Sequence, residues 1–515
     1  MQVTPHVGKA PPHMVNIATD VWANADSEPD RIAIRSPRTI TYGELRRTNQ
    51  QVAGAVRAAG ISPLDRVLFI APTIPEFAEV YYGLHASGVT VITMNVMSTA
   101  TEIDYVLEDS GTSLVIAWHE NAASAEQAAA DRGIPFWRID PDFSFDAEPL
   151  TEPHEHEPLD TALILYTSGT TGRPKGAELT AANLVDTVAS FKPVLELTED
   201  DRFGTGLPLF HVYGQCVCMN TSLSLGSSFS MVHPFHPKTM LDVMVQDQLT
   251  SMAGVPTMWN AMLHVEGEYT PEDFSAMRLA SSGGASLPVE VIRAFKDRFG
   301  CAILEGYGLT ETVGAATATA LNGQQKVGTV GNALPGTQIE IRDGEGKVLG
   351  PNEPGEVFVK GPTVMKGYWN RPDATAAELQ DGWLKTGDIG LLDEDGFLSI
   401  VDRVKDLIIR GGYNVYPREV EEVLWEHPDI VEVAVVGVPD EHYGEEIAAV
   451  TVLAPGSEAT PESIRAWAKE RLSAYKVPHL FAFVDALPKG ATGKILKRAI
   501  DREQLRDLAS KAVRA

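Results

Sequence analysis

Apolar residues in this chain recur at helical spacing in some stretches and run uninterrupted in others, and the two alternate over the first half. Thr41-Tyr42-Gly43-Glu44 has the form of a capping box, and Leu45, Val52, Val56 and Ala59 follow at helical intervals, with Gly60 where a C′ residue belongs. RVLFIAP (66–72) predicts a short buried strand, and PEFAEVYYGLHASG (75–88) predicts a helix with Phe77, Val80, Tyr81 and Leu84 on one face. VTVITMN (89–95), a helix carrying Ile103, Val106 and Leu107, and SLVIAW (113–118) continue the alternation. Strand followed by helix, repeated, predicts an α/β fold of doubly wound sheets with helices on their faces. LDTALILY (159–166) is a strand running straight into YTSGTTGRPKG (166–176), and in open sheets of this kind ligands gather at the carboxyl ends of strands.

After Gly323 the texture changes. GTQIEIRD (336–343), GEVFVKG (355–361) and GFLSIVD (396–402) are short strands separated by Gly and Pro, predicting a small β-rich subdomain. A second change follows Asp402. PREVEEVLWEHP (417–428) places Val420, Val423 and Leu424 on one helical face, VEVAVVGV (431–438) and EIAAVTVLA (446–454) read as strands, and TPESIRAWAKERLSAYKVP (460–478) reads as a helix with Ile464, Trp467 and Leu472 inward. The expected division is a large N-terminal domain over 1–401 and a small α+β domain over 402–515 with its own core.

Composition narrows the function. Hydrophobic residues make up 44% and charged residues 22% of 515, ordinary values for a core-forming chain. Net charge is 42 − 70 = −28, which repels nucleic acid and anionic membranes at long range. Three cysteines, Cys216, Cys218 and Cys301, form neither a C-x-x-C pair nor a disulfide framework and read as reduced thiols. The start MQVTPHVGKAPPHMV lacks a secretory apolar core, and no run approaches 18 apolar residues, so the expectation is a cytoplasmic protein without a transmembrane segment. TEPHEHEPLD (151–160) reads as a solvated, proline-broken linker rather than a metal site.

YTSGTTGRPKG has the small, hydroxyl-rich make-up of a phosphate loop. It lacks the G-x-x-x-x-G-K-[ST] order of a Walker A loop, which excludes a P-loop kinase or GTPase. With LPLFHVYG (207–214), GYGLTE (306–311), KTGD (385–388), DRVKDLIIRGGYNVYPREVE (402–421) and LPKGATGKILKR (487–498), it resembles, in order, the motif series of the adenylate-forming superfamily: acyl-CoA synthetases, nonribosomal-peptide adenylation domains and luciferases. The resemblance is greatest to bacterial fatty-acid and aryl or acyl-CoA ligases. It implies that a carboxylate attacks the α-phosphate of ATP, releasing pyrophosphate, and that coenzyme A then displaces AMP from the acyl-adenylate. Both first reactants are anionic, so placed cations and N–H donors must offset their repulsion and align them.

The same resemblance implies roles for residues. Thr167, Ser168, Gly169, Thr170, Thr171 and Lys175 would hold the β- and γ-phosphates. Gly283, Gly284 and Ala285 would lie against adenine and the acyl chain, where missing side-chain volume makes room. In Glu305-Gly306-Tyr307-Gly308 the tyrosine would stack on adenine, Thr310 would contact the α-phosphate and Glu311 would bind Mg²⁺, an oxygen ligand for a hard cation. Asp388 would accept both ribose hydroxyls, Arg403 would reach ribose or phosphate, and Lys405 and Asn414 would complete the nucleotide site. His211 would sit beside the acyl carboxylate, with Val212, Tyr213, Gly214, Val255, Pro256 and Gly284 lining the acyl pocket. Asp402 matches the family's hinge, and Lys494 its adenylation lysine, carried in by the C-terminal domain to bridge carboxylate and α-phosphate.

One position departs from plant-type ligases and luciferases: Ile409 stands where they carry a lysine. That leaves coenzyme A less firmly implied than adenylation, and an amine, or a carrier protein acting in trans, is the alternative acceptor. A non-catalytic nucleotide sensor is a further alternative, against which Lys494, Glu311 and Asp388 argue. The expected partners are a hydrophobic carboxylic acid, ATP and coenzyme A, with a second copy of the chain as an option and nucleic acid excluded.

Overall fold

A computed structural model describes residues 15–167, 173–267, 269–440, 442–490, 493–503 and 505. Two large sheets dominate. The first has seven strands in the order Gly367–Tyr368, Lys175–Thr180, Thr161–Thr167, Thr90–Thr93, Arg66–Ile70, Leu114–Trp118 and Phe136–Ile139, parallel from the third onward. The second has nine, its centre built from the parallel strands Ile303–Tyr307, Leu279–Ser282, Ser251–Gly254, Arg202–Thr205, Ser228–Met231 and Ile32–Ile34.

Alternation along a strand sends successive side chains to opposite faces. In Arg66–Ile70, Val67 and Phe69 join the core shared with the nine-stranded sheet, whereas Leu68 and Ile70 join a second core with Ile103 and Leu107. Both faces are covered, as the uninterrupted apolar runs require. The helix Tyr42–Ala58 carries the expected capping box at Thr41 and Glu44, and Gly60 has φ +80°. The helix Pro75–Ser87 departs from expectation, because all of its residues are buried rather than one face. It packs in one core with side chains from both sheets, which leaves it no side for water.

The stretch 151–160 is corrected at one residue. His156 alone is buried, 1% exposed, with its backbone paired to Val15, whereas the other residues of the segment are exposed or half-buried as a solvated linker requires. All three cysteines are free and buried. Among the described residues no helix is long and apolar enough to cross a membrane.

The β-rich part is a five-stranded sheet of Gln338–Arg342, Gly355–Lys360, Trp383–Leu392, Leu379–Gln380 and Leu398–Arg403, around Ile341, Val357, Val359 and Leu398. Beyond Asp402 the long strands Ile430–Asp440 and Gly444–Leu453 pair antiparallel. One face packs Val433, Val435, Ile447 and Ala449 against Val420 and Leu424 of the helix Pro417–Trp425 and Ile464 of Pro461–Lys469; the other packs Ala434, Val436, Ala448 and Val450 against Leu487. The last helix is shorter than its sequence suggests, because the chain turns after Lys469 and forms a separate 3₁₀ turn at Ala474–Lys476.

Candidate active site

The phosphate loop hangs from a hairpin whose register pairs Thr167 with Lys175. Ser168, Gly169, Thr170 and Thr171 lie outside the described residues. At the foot of the loop, Thr167 Oγ1 is 3.4 Å from Glu311 Oε1, and Glu311 also accepts from Tyr368 Oη at 3.0 Å. Glu311 sits on the 3₁₀ turn Thr310–Thr312, immediately after the strand Ile303–Tyr307. Burial, with the charge of Glu378 adding to it, raises its carboxyl above the usual range. Lys175 Nζ is 2.7 Å from Glu378 Oε1 and 4.0 Å from the centre of the Tyr368 ring. Sequence spacing singles out neither Tyr368 nor Glu378. They arrive because Gly367–Tyr368 adds an edge strand in register with Ala177 and Glu178.

Among the described residues there is no group of three or more His, Cys, Asp or Glu side chains able to hold a metal. One carboxylate flanked by a threonine and a tyrosine hydroxyl fits Mg²⁺, which keeps water and substrate phosphates as its other ligands.

The second cluster surrounds Asp388. Register pairs Asp388 with Arg403 and Ile389 with Asp402, which puts a carboxylate and a guanidinium side by side. Asp388, 4% exposed, accepts from Tyr307 Oη at 2.6 Å, and its Oδ1 lies 3.2 Å from Arg403 Nε. Burial first, and then Asp388's charge, raise the Tyr307 hydroxyl well above its usual range, so it stays a donor. The Thr310 hydroxyl makes no hydrogen bond among the described residues.

The third cluster joins the two halves of the chain. Gly493 O accepts from Thr257 Oγ1 at 3.3 Å, which seats the lysine loop on the start of the helix Pro256–Leu263. Gly493 has φ +77°, and a Cβ there would come within 2.6 Å of Thr257 Oγ1, so glycine is required on both counts. Lys494 follows; its carbonyl accepts the Gly490 N–H at 2.8 Å, and its side chain makes no ion pair or hydrogen bond among the described residues. Burial, with the charges of Arg403 and Lys405 opposing Asp388 and Asp406, pulls its ammonium down to about 8.

His211 is close enough that burial and then the Lys494 charge pull it down to about 4. Its Nδ1 accepts the Tyr213 N–H at 3.3 Å, so the neutral ring carries its proton on Nε2 and can donate there.

The residues expected to line an acyl pocket lie beside these groups. Tyr213 Oη is 3.3 Å from Ser281 O, and its ring lies 3.3 Å from where a Gly283 Cβ would stand. Gly284 has φ +79°, with Val255 at 3.6 Å from a built Cβ. Val255 caps the helix that Pro256 begins, Val212 is buried, and Gly214 lies against the Pro208 carbonyl. Ala285 is exposed. Gly306 and Gly308 are pressed against the backbones of Thr317 and Gly314.

Three predicted residues stand apart from this convergence. The Glu305 carboxyl accepts the Leu287 N–H at 3.1 Å within the fold, and burial pushes it up to about 7. Lys405 is exposed but acts on Lys494 through its charge. Asn414 is exposed on the strand Tyr413–Val415, beside the exposed Ile409. At the junction of the halves, the Asp402 carboxylate accepts Arg403 N–H at 2.7 Å and Arg418 N–H at 2.9 Å.

Known proteins resemble this chain along most of its length. Residues 21–369 match the AMP-binding enzyme family, and residues 419–494 match the AMP-binding enzyme C-terminal domain. The chain is 38% identical to a feruloyl-CoA synthase of Amycolatopsis sp, over 93% of this chain and 97% of the relative. It is 37% identical to a long-chain-fatty-acid–CoA ligase of Bacillus subtilis (strain 168), over 92% of each. Its backbone is similar to the crystal structure of ATP-bound MatB from Rhodopseudomonas palustris, with TM-score 0.90 at 33% identity over 96% and 99% of the two chains. It is also similar to o-succinylbenzoate CoA synthetase of Bacillus subtilis in complex with its acyl-adenylate, with TM-score 0.82 at 30% identity over 95% and 98%. The chain belongs to the AMP-binding enzyme family, within which it is an AMP-forming carboxylic acid:CoA ligase that uses ATP, Mg²⁺ and coenzyme A.

Proposed function

We propose that the enzyme adenylates an acid with an apolar body, at a site closed by Lys494 from a C-terminal domain spanning 402–515, and that the N-terminal domain spans 1–401. The observation that carries this reading is a half-buried ammonium without an ionic partner among the described residues, within electrostatic reach of His211, Arg403 and Asp388. An isolated buried cation is costly, and an incoming carboxylate and α-phosphate are the anions that would stabilise it. His211 Nε2–H then donates to the acid, Asp388 and Tyr307 hold the ribose and purine, and Thr167, Lys175 and the loop residues between them hold the departing pyrophosphate. Glu311 carries Mg²⁺, and Thr310, whose hydroxyl is free among the described residues, contacts the α-phosphate. Asp402 is the hinge between the half-reactions: its two N–H acceptor bonds lie at the junction, and releasing them would free the C-terminal domain to turn.

The choice of acid follows from the wall. Val212, Tyr213, Val255 and Gly284 offer no cation, and the crevice behind Ser281 is lined mostly by apolar side chains, Phe191, Leu195, Val217 and Leu279 among them, with the hydroxyls of Thr221 and Ser251 and no charged group. An aryl or fatty acid suits such a surface, as the names of the feruloyl and long-chain relatives suggest; a dicarboxylate would bury an unpaired charge. Free thiols at all three cysteines suit a reducing compartment, and we place the enzyme in the cytoplasm. A pyrophosphate-release screen over aryl, fatty and dicarboxylic acids, with and without coenzyme A, tests the reading. Turnover confined to dicarboxylic acids would overturn the assignment of the acid, and release of ADP in place of AMP would overturn the site.

A further inference from the structure

The segment 362–378 touches the chemistry above only through Tyr368 beside Glu311 and Glu378 beside Lys175, and it closes round the foot of the phosphate loop. Gly367–Tyr368 pairs with the strand that leaves the loop, and Trp369 N–H donates to Gly176 O at 2.8 Å. The Tyr368 N–H donates to Thr375 Oγ1 at 2.9 Å, which folds the helix Pro372–Glu378 back so that its last residue returns to the tyrosine. Asp109 anchors the far side, accepting Tyr166 Oη at 2.8 Å and pairing with Arg371, while its carbonyl accepts Trp369 Nε1 at 3.1 Å. The product is a cradle for one cation. Lys175, with its side chain only 12% exposed, lies 2.7 Å from Glu378 Oε1 and 4.0 Å from the centre of the Tyr368 ring. The hydroxyl of that same tyrosine meets Glu311 at 3.0 Å and the other oxygen of Glu378.

We propose that Glu378 and Tyr368 are positioning residues for the adenylation step, holding the Lys175 ammonium in place before ATP arrives and tying it to Glu311. A lysine stem is flexible, and ordering it on binding costs affinity. A cation already held by one carboxylate and one aromatic face has lost that freedom in advance. An ammonium has three N–H bonds, so the one given to Glu378 leaves two for phosphate oxygens. Because the Tyr368 hydroxyl reaches Glu311, the cation that receives the leaving pyrophosphate and the carboxylate assigned to Mg²⁺ share one support. This inference rests on the reading of Lys175 as a phosphate ligand.

The test compares Glu378→Ala, Glu378→Gln, Lys175→Ala and the double variant Lys175→Ala/Glu378→Ala in two half-reactions. One is ATP–pyrophosphate exchange over graded ATP; the other is thioester formation from presynthesised acyl-adenylate and coenzyme A, which involves no pyrophosphate. Glu378→Ala is expected to raise KM for ATP about tenfold, the scale of one charged hydrogen bond, with little change in kcat and none in thioester formation. Glu378→Gln, which keeps an oxygen acceptor, recovers part of the loss, and the double variant is no worse than Lys175→Ala because both act through one cation. A normal KM in Glu378→Ala beside a raised one in Lys175→Ala overturns the inference alone, and a normal KM in Lys175→Ala overturns the reading of Lys175 with it. Equal loss in both half-reactions, or additive losses in the double variant, reduces Glu378 to a structural residue and likewise overturns the proposal.

Discussion

Lys494 gives the sharpest test of how the site works. In the free enzyme, burial pulls its ammonium from the ordinary lysine value of 10.5 down to about 8. At 1.36 kcal/mol per pH unit, that shift corresponds to about 3 kcal/mol of unfavourable environment for the charged form. The sign follows directly: the lysine is charged below about pH 8 and neutral above it, so a step that needs the cation is present below that value and lost above it. Acid adenylation, measured as kcat/KM by pyrophosphate release, should therefore fall about tenfold per unit above pH 8, because that parameter reports the free enzyme. The kcat profile should hold to higher pH, since bound ATP and carboxylate favour the charged form. Lys494→Ala should lower kcat for adenylation by roughly 10²–10³, the scale for removing one preorganised donor, while ATP still binds. Lys494→Arg should be slow because its geometry differs, yet its alkaline fall should vanish, since a guanidinium keeps its charge. Undiminished pyrophosphate exchange in Lys494→Ala, or an unchanged alkaline limb in Lys494→Arg, would refute the reasoning.

Asp388→Asn removes the charge facing Arg403 and weakens the bond from Tyr307; KM for ATP should rise about tenfold, and an unchanged KM would remove Asp388 from the nucleotide site. Gly493→Ala adds a methyl against Thr257 at a left-handed backbone position, at a cost of roughly 1–3 kcal/mol confined to the docked lysine loop. Adenylation should fall while the melting temperature holds, and a lowered Tm with intact adenylation would contradict this. His211 titrates at about 4, so it is neutral throughout the working range. Adenylation should show no step near pH 6.5, and a step there that disappears in His211→Gln would show a protonated imidazole at work.

What could be read before folding was whatever depends on near neighbours. The helix beginning at Thr41 announced itself by a capping box, because the first-turn donors are satisfied by residues three apart. The uninterrupted runs at Arg66–Ile70 and Leu114–Trp118 announced buried strands, because a sheet covered on both faces demands apolar side chains in both directions. Motif order carried the identity of the chemistry and the residues to watch. Convergence was another matter. Asp388 meets Tyr307 and Arg403 through one pairing register and an 81-residue separation, and Lys175 meets Glu378 across 203 residues. Those distances are set by how sheets stack and where an edge strand attaches, which no local spacing encodes. The same holds for the helix Pro75–Ser87, buried on every side and not only along the face of Phe77, Val80, Tyr81 and Leu84, and for His156, buried where its backbone pairs with Val15. Local preference selects the elements; burial of the surfaces they share selects their neighbours, and the site exists only among neighbours.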